Sequence, residues 1–292
     1  NPNKKAKQIK KNNILDLIYL DLWYAPKEIK ELSKYHYFIS FTDSFSRYSI
    51  LYFLESKNEV LDMFKLYKVK VENKHNRKIK SINMDFGGEF TSKVFIEYLD
   101  KNGIEYNIAP TNKHQFNGVA ERLNRTLLNK IRALKNQCGI SYSYWTYIAK
   151  YANLITNIIN TKALKKNQNP YLLWHKKQPS TDLMRIFGCL AIAKKINTTN
   201  KLDNQGIRTI FIGISENFKS YNLLNLETKK IINRYVKEVK FDETIFPNLS
   251  FDNDDNEDNE ENINDQNITS KPAPILIEIK EEEEEEEEEV EE

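Results

Sequence analysis

Three carboxylates stand where an acid needs a reason. Asp21 lies in "YLDLW", inside an apolar run. Asp85 closes the stretch "IKSINMD", one residue ahead of Gly87 and Gly88. Glu121 is the one acid in "FNGVAERLNRTLL", residues 116–128, where every other charge is basic. Sixty-three residues separate the first two acids and 35 separate the second two. Brought together, three carboxylates repel one another unless a cation neutralises them, and hard oxygen donors select Mg²⁺ or Mn²⁺. Two such ions about 4 Å apart activate an attacking oxygen and stabilise a leaving one at a phosphodiester.

Each acid also has a simpler reading. Glu121 has Arg125 four residues on, a surface pair worth a few tenths of a kcal/mol. Asp85 before glycines is an ordinary turn former. Asp43, in "FTDSFSRY", competes with Asp21 as the first ligand, although a hairpin turn with Arg47 as partner suits it better. The four histidines (His36, His75, His114, His175) and two cysteines (Cys138, Cys189) show neither Cys-x-x-Cys nor paired-His spacing, so no zinc site is expected. Two distant cysteines make no disulfide framework, which suits a reducing compartment.

The elements that must position the acids follow from periodicity. "ILDLIYLDLWY", "YHYFISFTD" and "RYSILYFL" read as three strands, the last two a hairpin across Ser44–Ser46. Ser56 to Glu59 is a capping box opening a helix through Val60, Phe64, Tyr67 and Val71. A short strand ends at Asp85, a helix runs from Thr91 or Ser92 to Asn102-Gly103, and "IEYNIA" is a fifth strand. Two long helices follow. In the first, Val119, Leu123, Leu127, Ile131 and Leu134 form the buried stripe, with Glu121 roughly 200° from Leu123. The order β-β-β-α-β-α-β-α-α implies a five-stranded mixed sheet flanked by helices. If the first and fourth strands are neighbours, Asp21 and Asp85 meet, and the helix after the fifth lays Glu121 beside them. Beyond "KALKKNQNP" the texture turns to short strands, a small β-rich module. The expected divisions are a basic flexible leader at 1–13, a core at 14–165, a linker helix and β-rich module at 166–246, and a disordered acidic low-complexity tail at 247–292.

Charge is divided along the chain. Residues 1–250 carry 42 basic and 22 acidic side chains, whereas residues 251–292 carry 2 and 20, which the net charge of +2 conceals. A basic body implies a polyanionic partner, nucleic acid before membrane. The acidic tail can compete for that body or recruit basic chromatin proteins, although a solvated spacer is the more frequent role of such a run. No apolar run approaches the ~20 residues of a membrane span. The start at Asn1 rather than Met suggests a segment of a longer product. The clusters "KALKK" and "WHKK" can line a nucleic-acid path with Trp174 as a stacking face, or Trp174 can simply be core.

"HQFNGVAERLNRTL" with "MDFGGEF" resembles the integrase of copia-type LTR retrotransposons. "YLDLW", "ISFTDSFSRY", "KLDNQG", "FIGISENFKSYNLLNLETKKI" and "VKFDE" resemble the same family in the same order, over about residues 14–246. The resemblance implies a ribonuclease-H-like core with an Asp, Asp, Glu triad on Asp21, Asp85 and Glu121, which would be both catalytic and metal-binding. It implies two Mg²⁺ or Mn²⁺ ions, and DNA contacts from Asn117, Gly118, Arg122, Asn124 and Arg125. It further implies joining of element cDNA ends to host target DNA, by a homo-multimer acting in the nucleus after a cytoplasmic particle stage. The region 186–246 resembles the segment that follows the core in these polyproteins. Departures are visible: Phe86 stands where the family commonly has Asn, "NKHQFNG" lacks a proline, "DLWYAP" replaces Asp-x-x-Gly-Pro, and no zinc-binding module precedes the core. A catalytically silent DNA-binding remnant of such an enzyme is therefore the alternative function.

Overall fold

The computed structural model describes residues 12–109, 118–196, 205–215 and 218–247. Five strands build the first sheet: β1 (Ile18–Tyr24), β2 (Tyr37–Asp43), β3 (Ser49–Leu54), β4 (Ser81–Met84) and β5 (Glu105–Ile108). Their order is β3-β2-β1-β4-β5, with β1, β2 and β3 antiparallel and β1, β4 and β5 parallel. The mixed sheet expected from the sequence is therefore present, with β1 at its centre beside β4. The helices are α1 (Lys27–Lys30), α2 (Val60–His75), α3 (Gly88–Thr91), α4 (Lys93–Lys101), α5 (Gly118–Cys138), α6 (Trp145–Ile158) and α7 (Pro170–His175).

Local chemistry sets the ends of these elements. Ser56 and Glu59 form the expected capping box, the Glu59 Oε1 accepting the Ser56 N–H at 2.6 Å, although a 3₁₀ turn at Lys57–Glu59 precedes α2. Ser92 caps α4, and Gly103 follows that helix with φ of 63°, the left-handed conformation glycine tolerates. The first strand begins later than its apolar run, because residues 14–17 form turns. Asp21 is therefore mid-strand, not at a strand end.

Strand alternation divides the interior into two layers. Ile18, Leu20 and Leu22 face Phe64, Tyr67, Phe95 and Leu99 of α2 and α4. Leu17 and Tyr19 face the other way and pack on Val119 and Ala120 of α5. On that side Trp23, Phe38, Phe53 and Trp145 form a ring cluster that joins β1–β3 to α6.

The second sheet contains β6 (Leu190–Lys194), β7 (Gly206–Ile214), β8 (Ser220–Asn225), β9 (Ile231–Tyr235) and β10 (Val239–Asp242), all antiparallel in the order β10-β6-β7-β8-β9. The run "KIINRYVKEVKF", expected as one strand, is broken by a 3₁₀ turn at Val236–Glu238, so the chain crosses from one edge of this sheet to the other. Phe187, Phe211, Tyr221 and Leu223 of the module share one apolar cluster with Trp145, Ile148, Tyr151 and Ala152 of α6. Trp174 is 2% exposed and stacks on Tyr48 at 5.0 Å, so it is core and not a free stacking face. Residues 1–11 of the expected leader at 1–13, residues 248–292 of the expected tail, and residues 110–117, 197–204 and 216–217 lie outside the described residues.

Candidate active site

The β1–β4 register decides the first pair. Ile18 pairs with Ile82 and Tyr19 with Asn83, and beyond that short ladder Asp21 lies near enough to Asp85 for the Asp85 charge to act on it. Asp21 shares the face of Leu17 and Tyr19, towards α5. There the Asn124 amide donates to Asp21 Oδ2 at 2.6 Å, and the Ser40 hydroxyl lies 3.4 Å from both Asn124 Oδ1 and the Asp21 carbonyl. Burial, then the charges of Asp85 and Glu121, push the Asp21 carboxyl up to about 7, against the Leu22 N–H and Asn124. The third acid is thus within electrostatic reach of the first.

Helix α5 departs from the sequence expectation in its rotation. Its buried residues are Val119, Ala120, Asn124, Leu127, Ile131 and Cys138, while Leu123 and Leu134 are only half-buried. Asn124 is 7% exposed, so this polar residue belongs to the buried stripe and does not stand at a DNA surface. Hydropathy alone cannot signal that, since an amide is buried only where a partner awaits it. Glu121 sits three residues before Asn124, roughly 60° around the helix, at the margin of the stripe and not opposite it. Arg122 and Arg125 are exposed on the same helix, and Gly118 is its first residue. Asn117 lies outside the described residues.

Asp85 follows β4 directly, and its Oδ1 accepts the Gly87 N–H at 3.1 Å. Burial chiefly raises its pKa and the charge of Glu89 adds to this, whereas the Gly87 N–H and Lys57 oppose it. Glu89 is a fourth acid that the sequence reading missed. Its position four residues after Asp85, in the first turn after the glycines, was the available signal. Gly87 has φ −62° and ψ 141°, open to any residue, so it is not needed for the turn. A Cβ there would fall 2.9 Å from Glu89 Cδ and 3.1 Å from Asp85 Oδ1, and close approach is its role. Gly88 has no such neighbour.

Asp43 is fully committed elsewhere. Its carboxylate accepts the Leu15 N–H at 2.9 Å and both the N–H and hydroxyl of Ser46 at 2.7 Å, and its carbonyl accepts the Arg47 N–H. It shapes the hairpin and does not compete with Asp21.

Three hard carboxylates from a central strand, its parallel neighbour and a crossing helix would suit a divalent cation, which would relieve the repulsion that Asp85 and Glu121 add to the effect of burial on Asp21. Among the described residues, no three acidic, His or Cys side chains are yet drawn close enough to hold a metal ion. The two cysteines are buried and form no disulfide, and burial pushes the Cys189 thiol up to about 12, away from the thiolate a nucleophile needs.

Comparison with known proteins gives two family matches. The integrase core domain matches residues 16–114, and the retroviral polymerase SH3-like domain matches residues 189–254. The retrovirus-related Pol polyprotein from transposon TNT 1-94 of Nicotiana tabacum is 34% identical over 238 residues, covering 80% of this chain and 18% of that protein. The corresponding polyprotein from transposon RE1 of Arabidopsis thaliana is 31% identical over 235 residues, covering 80% of this chain and 16% of that protein. The chain thus spans less than a fifth of the length of these relatives. Among solved structures, the HTLV-2 integrase catalytic core domain in complex with magnesium (trimeric form) has a TM-score of 0.42 at 17% identity, covering 56% of this chain and 100% of that one. A likeness that distant carries no argument about this chain.

Proposed function

We propose that this chain, whose residues 16–114 match the integrase core domain and 189–254 the retroviral polymerase SH3-like domain, is an integrase of the copia-type LTR retrotransposons and joins element cDNA to target DNA. In that reaction a 3′-OH attacks a target phosphodiester in line. A new phosphodiester forms, the attacking hydroxyl gives its proton to solvent, and the target 3′-oxygen leaves and takes a proton from solvent to become a hydroxyl. Asp21, Asp85 and Glu121 are the residues that would hold Mg²⁺ or Mn²⁺. Bound there, such ions supply charge stabilisation at the attacking and leaving oxygens. Asn124 fixes the Asp21 carboxylate, and Arg122 and Arg125 meet phosphates along the exposed side of α5. The excess of basic residues in 1–250 draws the polyanion to the body. A core at 14–165, a module at 166–246, a homo-multimer on DNA and a nuclear site of action belong to the same proposal.

The observation that carries it is the pairing of β1, which bears Asp21, with β4, which leads into Asp85, together with the Asn124–Asp21 bond that ties α5 to β1. The test is transfer of a short duplex into plasmid DNA with Mg²⁺ or Mn²⁺. Asp85→Asn and Glu121→Gln should each lower joining by about a hundredfold or more while DNA binding persists. Wild-type protein that binds DNA without joining it, at any concentration of either metal, would instead establish the silent remnant. Phe86, 61% exposed where the family commonly has Asn, is the departure beside the site that would favour that outcome.

A further inference from the structure

Beside Asp85 lies an arrangement that the Asp, Asp, Glu triad does not use. The Glu89 side chain is 6% exposed, although it carries a charge. The Tyr24 hydroxyl donates to Glu89 Oε1 at 3.1 Å and accepts from Lys57 Nζ at 2.8 Å. The same ammonium stands 3.9 Å from Glu89 Oε2 and 4.3 Å over the Tyr24 ring. A Cβ at Gly87 would come within 2.9 Å of Glu89 Cδ and 3.1 Å of Asp85 Oδ1, so both carboxylates crowd that position. A fourth carboxylate is therefore packed against the proposed metal-binding acid and tied to one flexible, half-exposed lysine.

We propose that Glu89 is a positioning residue of the acidic site, adding its charge to the cation field at Asp85, and that Lys57 is its exchangeable counter-ion. Without a divalent cation, Lys57 neutralises Glu89 through Tyr24 and limits repulsion against Asp85. When a divalent cation binds at Asp85, Glu89 attracts it, and Lys57 is the charge displaced towards solvent. Lys57 and the divalent cation thus compete for one carboxylate. The inference rests on the metal-binding role of Asp85 proposed above.

Opposite signs make it testable. Calorimetric titration of the full chain with Mn²⁺ alone, without DNA, should show about fivefold weaker binding for Glu89→Gln and tighter binding, by a similar factor, for Lys57→Met. A clamp that only braces the fold would move both variants in one direction, because each breaks it. Equal or same-direction shifts, or a Glu89→Gln affinity matching wild type, would overturn the inference. Thermal unfolding without metal checks that Glu89→Gln is folded, since the amide oxygen still accepts from Tyr24. If that variant fails to fold, the sign for Lys57→Met decides alone. Asp85→Asn separates the two layers. Unchanged Mn²⁺ affinity there removes the metal-binding reading itself, whereas lost binding there with a wild-type response in Glu89→Gln removes only the role of Glu89.

Discussion

At the scale of single residues, Asp21 shows how one side chain can be costly to the fold and necessary to the site. Its carboxyl is buried in a central strand and repelled by two further acids, so the folded protein holds its proton up to about pH 7, against an ordinary value of 3.8. A folded-state pKa above the unfolded one means that the stabilising contribution is complete below about pH 4 and lost as pH rises through 7. In metal-free protein, Asp21→Asn should therefore raise the unfolding free energy at pH 8, by up to about 4 kcal/mol, and change it little at pH 4. Chemical denaturation at the two pH values in the presence of a chelator measures the difference. A variant no more stable at pH 8 than at pH 4, relative to wild type, would mean that Asp21 is not strained by its neighbours. Added Mg²⁺ should narrow the gap by stabilising wild type alone, because a ligand that binds only the native state stabilises it.

At the scale of elements, α5 carries the third acid, and its placement depends on contacts at both ends. Near its start Asn124 reaches across to Asp21, and at its end Cys138 packs on Gly188 ahead of β6. Gly188 has φ of 86°, and a Cβ there would lie 2.1 Å from the Cys138 Cβ, an impossible approach without moving the helix or the strand. Gly188→Ala thus combines backbone strain with overpacking and should cost about 3 kcal/mol or more. Urea unfolding reads the loss, and a parallel Mn²⁺ titration reads whether displacing the end of α5 disturbs the acidic site. The α2–α7 junction shows a related dependence on packing. His75 and His175 are held down to about 4, chiefly by burial and then by neighbouring lysines, while His75 lies edge-on against Trp174. Both rings stay neutral there near pH 7.

At the scale of the molecule, the two sheets are less separable than their composition suggests. The change of texture after residue 165 reads as the start of a second unit. In the structure, α6 lends Trp145, Ile148, Tyr151 and Ala152 to the same apolar cluster as Phe187, Phe211 and Tyr221 of the module. Cutting the chain at 165 should uncover that face and yield a core that is aggregation-prone, with a melting temperature at least about 5 °C lower than that of the full chain. Light scattering and calorimetry on the two proteins check this. A truncated core that melts like the full chain would show that the shared cluster adds little.

The sequence by itself determined much of the local structure. Apolar runs fixed the strands around Asp21 and Asp43, the Ser56–Glu59 box fixed the start of the α2 region, and the Gly103 cap fixed the end of α4. These depend on neighbours within a few residues, and the family motifs placed Asp21, Asp85 and Glu121 in order along the chain. The tertiary structure alone decided which acids meet and what surrounds them. It set β4 beside β1, turned Asn124 into the core of α5 to hold Asp21, and brought Glu89, Tyr24 and Lys57 together beside Asp85. No periodicity encodes these contacts. Each joins residues distant in the chain, and a polar side chain takes its place in the interior only when the fold supplies its partner.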